Sequence, residues 1–170
     1  MNYNKGFGFQ ALCEKCNKQL GSKYVPDFTQ FINDFKNING VGQQEYRINT
    51  KPLNVIKSIY ANSIVINHNN QNIPEDFRNY VLNETYSHQF LNYRVFITNT
   101  KSEIFRHEGW RMQIDIPEKP VEIIASIEFP GIKISVINSV DITLARGLEI
   151  TNFNNYPYNE ENEIKIQYSR

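Results

Sequence analysis

Apolar residues recur along this chain with two different periods, and the change from one to the other organises the reading. Over residues 26–36, Phe28, Phe31, Ile32 and Phe35 fall at i, i+3, i+4 and i+7, which is one face of an amphipathic helix. Pro26 suits the first turn of such a helix, and Gly40 and Gly42 mark its exit. A second helix is predicted from Pro52, with Thr50 as N-cap and Leu53, Ile56, Ile59 and Tyr60 as its stripe. It reaches Ile64, Val65 and Ile66 only if three β-branched residues are accepted in its last turn. After a polar connection over 68–72, a short third helix begins at Pro74. Glu75 and Asp76 favour its first turn, and Phe77, Tyr80 and Val81 face inward.

Beyond Asn83 the period becomes two. Tyr93, Val95 and Ile97 alternate with Arg94, Phe96 and Thr98; Trp110, Met112, Ile114 and Ile116 alternate with Arg111, Gln113 and Asp115. Two β-branched runs, 122–129 and 133–138, are separated by the turn dipeptide Pro130-Gly131. Glu108-Gly109 and Glu118-Lys119-Pro120 punctuate the other joins. A final edge strand is predicted at Ile164, Ile166 and Tyr168, after a polar loop over 152–162. The expectation is an α+β fold, with N-terminal helices followed by a mostly antiparallel β-sheet and the helices on one side of it.

Composition narrows the function classes. In 170 residues, 18 Lys and Arg balance 18 Asp and Glu, which excludes a globally basic nucleic-acid binder; any phosphate-binding surface is local. Asn and Ile are far above ordinary usage but interspersed, as bias from an AT-rich genome would leave them. No apolar run is long enough to span a bilayer and the start has no apolar signal core, so a cytoplasmic protein without membrane contact is expected. Two Cys, three positions apart, do not make a disulfide framework.

Cys13-Glu14-Lys15-Cys16 is the sharpest chemical signal, since two residues between two thiolates let both bind one metal ion. It is half a zinc site, because no second Cys pair exists and His68, His88 and His107 follow no ligand spacing. Two unmetallated thiols beside a helix is an equally good reading. Lys5, Lys15, Lys18, Lys23, Arg47, Lys51 and Lys57, then Arg94, Arg106 and Arg111, are the local basic positions, against an equal number of acids. Trp110 opens the cleanest strand and reads as core. Arg106, His107 and Glu108 are strand neighbours whose side chains alternate, so they form no acid–base cluster. No phosphate loop, nucleophile elbow or dinucleotide fingerprint is present.

Gly6-Phe7-Gly8-Phe9 leading into Leu12-Cys13-x-x-Cys16-Asn17, then Gly21-Ser22-Lys23-Tyr24 and a helix, resembles the second half of a zinc-containing HNH endonuclease module. Pro52-Leu53-Asn54-Val55-Ile56-Lys57, Phe77-Arg78-Asn79-Tyr80-Val81-Leu82-Asn83, Tyr93-Arg94-Val95-Phe96, Ile127-Glu128-Phe129-Pro130 and Asp141-Ile142-Thr143 are similar to the region downstream of that module. The resemblance implies a remnant module over 1–45 and a helical and β-rich part over 46–170. It implies that Cys13 and Cys16 are the second zinc pair, with Asn17 a further metal-site candidate, and that a second divalent ion would serve cleavage. Lys15, Lys18 and Lys23 are then the nucleic-acid candidates. The departure is large: the 12 residues before Cys13 hold neither the first Cys pair nor the His that activates water. The expectation is a truncated or degenerate nuclease relative that binds or acts on nucleic acid and does not cleave alone. Alternatives are a non-catalytic protein-interaction module in phage–host conflict, and part of a split enzyme completed by an upstream-encoded partner or a homodimer.

Overall fold

The computed structural model describes residues 14–38, 45–66, 75–85, 93–108, 112–114, 121–138 and 147–167. Helices α1 (Glu14–Lys23) and α2 (Val25–Ile38) follow each other with a single turn residue, Tyr24, between them. Leu20, Tyr24 and Phe28 are all buried at steps of four, and the Tyr24 and Phe28 N–H groups still donate four residues back, to Leu20 and Tyr24. Pro26, which has no N–H to offer Ser22, interrupts the ladder there. The Phe28, Phe31, Ile32 and Phe35 stripe of α2 is buried as its spacing predicts.

Strand β1 (Glu45–Thr50) comes next, a strand that the periodicity did not predict within a mainly helical first half. Thr50 is the last residue of that strand, opposite Asn162, and therefore not the N-cap of the helix that follows. Helix α3 (Pro52–Ile66) includes the three β-branched residues at its end. Its first ten residues, together with Ser63 and Ile64, are buried, so it is enclosed on every side, as an apolar and weakly amphipathic helix should be. It packs against α1, α2 and α4 (Glu75–Leu82), against the strand Val121–Phe129 and against a 3₁₀ turn, Thr151–Asn155. Phe77, Tyr80 and Val81 of α4 face inward as expected.

The main sheet comprises β2 (Tyr93–Asn99), β3 (Arg106–Glu108), β4 (Met112–Ile114), β5 (Val121–Phe129), β6 (Ile132–Asn138) and β7 (Leu148–Glu149), every pairing antiparallel. Its order is β3-β5-β6-β2-β7, with β4 following β3 along the same side of β5. After β2 the chain crosses the end of the β5–β6 hairpin. Thr100 N–H donates to Gly131 O at 3.1 Å and Gly131 N–H to Ser102 O at 3.0 Å. One sheet face carries Val95, Ile97, Ala125, Ile127, Ile132, Ile134 and Val136, all buried and aligned across three strands. The opposite face is not simply polar, because Phe96 and Ile137 are buried on it too. The fold is α+β, with N-terminal helices and then the sheet, in agreement with the change of period. Met112–Ile114 forms a strand within the predicted 110–116 segment; Trp110 and Ile116 lie outside the described residues.

The last strand, β8 (Asn162–Gln167), is not an edge of that sheet as predicted. It pairs antiparallel with β1 in a separate two-stranded ribbon, from Glu45 opposite Gln167 to Thr50 opposite Asn162. Ile48, Ile164 and Ile166 bury one side of the ribbon, and Arg47 and Glu163 form an exposed ion pair at 3.0 Å. A single apolar cluster runs from Leu20 through α3 to Ile166.

Gly147 has φ +140°, and a Cβ there would lie 2.5 Å from the Ile97 carbonyl oxygen where β7 joins β2. Gly147→Ala is expected to cost about 2 kcal/mol or more, read as a lower urea midpoint at unchanged slope.

Candidate functional site

The residues singled out by the CxxC signal fall on or just before α1. Cys13 lies outside the described residues, as do His68, His88, Lys5, Trp110 and Arg111, and the side chains of Lys15, Cys16 and His107 are likewise not described. Asn17 is exposed on α1. Lys18 bonds Glu14 one turn back at 2.6 Å, and Lys23 pairs with Glu84 beyond the end of α4. Among the described residues no three His, Cys, Asp or Glu side chains gather as a metal would require. Asn17 is thus the one metal candidate of the three whose side chain is among the described residues.

Several of the remaining basic positions are also engaged. Arg94 forms a two-pronged pair with Glu149 across β2 and β7, its Nε 2.7 Å from Oε1. That bond holds the Glu149 carboxyl below its ordinary range. Lys51 lies 3.6 Å from Asp27. Lys57, counted above among the local basic positions, is fully buried on α3 and so contributes to no exposed basic surface.

Lys57 enters a polar assembly that the motif search missed. Its Nζ donates to the Tyr80 carbonyl at 3.0 Å and to the Asn83 carbonyl, at and just beyond the C-terminal end of α4, and stands 4.5 Å over the Tyr80 ring. A cation at a helix C-terminus meets both the unpaired carbonyls and the negative end of the dipole. Burial nevertheless lowers the Lys57 pKa to about 8. Beside it, the Tyr80 hydroxyl donates to Asn154 Oδ1. Asn154 Nδ2 donates to Thr151 O at 2.8 Å and reaches the Tyr60 hydroxyl at 3.4 Å. Thr151 Oγ1 accepts the Val95 N–H at 3.0 Å, and Val95 O accepts the Ile150 N–H at 2.9 Å. The network therefore ties α3, α4 and the 3₁₀ turn to β2. Burial raises the Tyr60 and Tyr80 pKa values, and burial with the neighbouring Tyr158 phenol pushes Tyr24 up to about 12. A second knot surrounds Asn54, which donates to Asp27 at 2.7 Å and accepts the Asn159 N–H at 3.2 Å.

One sequence signal pointed to this assembly. Lys57 sits four residues after Leu53 and three before Tyr60, on the apolar stripe itself, where a charged residue requires an internal partner. The partners Asn154 and Thr151 lie in a polar segment that reads as loop. Chemically, the arrangement clamps elements together. Its hydroxyls are held neutral and its amine is bound to main-chain carbonyls inside the core.

Comparison of the chain with protein-family models, with curated proteins and with solved structures finds no match to any of them.

Two outcomes are expected. Protonated Lys57 is disfavoured by folding, so its penalty persists below about pH 8 and is relieved as pH rises toward the free-lysine range. The raised tyrosines act in the opposite sense, costing stability once pH exceeds the ordinary value of 10.0. Unfolding free energy should therefore climb from about pH 8 to about pH 10 and then fall, and Lys57→Met should abolish the climb but keep the fall. Separately, the buried Ser58 hydroxyl is the one buried side-chain polar atom among the described residues with no hydrogen-bond partner. Ser58→Ala should raise stability by about 1 kcal/mol in denaturant titration.

Proposed function

We propose that this chain is a non-catalytic protein-interaction module, related to HNH-type nucleases by degeneration and working in the cytoplasm. The observation that carries the reading is the position of its exposed apolar surface. Ile104 and Phe105, 51% and 45% exposed, are adjacent on the segment that leads into β3, which ends the strand order among the described residues, while the ionisable groups shifted by burial are spent inside the core. Adjacent exposed apolar side chains beside a sheet edge suit a protein partner better than a phosphate backbone does.

The nucleic-acid reading has less support. Of its three lysine candidates, Lys18 and Lys23 each have a carboxylate neighbour, which lowers the local positive potential at α1. Zinc on Cys13 and Cys16 would be half coordinated within one copy, since two thiolates fill two of the four positions of a tetrahedral ion. No transmembrane role is proposed: among the described residues no helix is long and apolar enough to cross a membrane.

Plasmid nicking with Mg²⁺, Mn²⁺ or Zn²⁺ tests the proposal, run on the chain and on Asn17→Ala. The expected result is no cleavage by either. Cleavage lost on Asn17→Ala would overturn the reading and place a working site on α1, and cleavage restored by an upstream-encoded product would favour the split enzyme. Elemental analysis should find less than one zinc per chain; stoichiometric zinc in a monomer would mean that ligands outside the described residues complete the site.

A further inference from the structure

We draw no further inference here: the strongest candidate, the half-exposed aromatic margin where Phe105 lies 5.1 Å from Phe129 of β5 and Lys36 of α2 stands over the Phe129 ring, is an apolar surface patch for which nothing in the structure shows what covers it.

Discussion

Enclosure of α3 on every side is the constraint from which the rest follows. A helix buried all round must have neighbours all round, and this chain supplies them from both ends of its sequence: α1 and α2 before it, α4, β5 and the 3₁₀ turn after it. Its polar side chains cannot reach water and so must be answered inside. Asn54 is answered by Asp27 and Asn159, Lys57 by the end of α4, and Tyr60 by Asn154. Each answer comes from a different element, so the polar groups that burial makes costly also fix how those elements are placed.

The contrast between Lys57 and Ser58 shows the principle at neighbouring positions. The amine, the more expensive group to bury, is held by two carbonyls and an aromatic face, whereas the hydroxyl next to it is left without a partner. Burying a hydroxyl unpaired costs far less than burying an ammonium unpaired, and the core tolerates only the cheaper omission.

What could be read from the sequence follows from how local each signal is. The α2 stripe and the alternation through Val95 and Ile97 report burial within a few residues of themselves, and both are where the periods put them. Helix α1 was hidden because, among its described side chains, Leu20 alone is buried; its anchoring continues across the junction to Tyr24 and Phe28. Strand β1 was hidden because Tyr46-Arg47-Ile48 alternates too briefly, between two helices, to stand out. Its partner lies at the far side of the fold, and no window of local pattern contains that pairing. The candidate site divides in the same way. Lys57 was visible as a cation on an apolar stripe, yet Asn154 gave no sign of being its network's centre. The CxxC signal is local by nature, and it names ligands without supplying the two that a tetrahedral ion still lacks.

The ribbon of β1 and β8 has a consequence for how the chain comes into being. β1 is made before α3 and the main sheet and waits for the last described strand before its hydrogen bonds and the Ile48 side chain are covered. Until then the helices around it have a seam open to other chains, and closing the seam means joining segments separated by most of the sequence. Such distant closure slows folding, because loop entropy is lost before any contact repays it. Biogenesis on the ribosome thus exposes an unpaired strand until β8 has emerged, a window in which chaperone occupancy or premature aggregation would be decided.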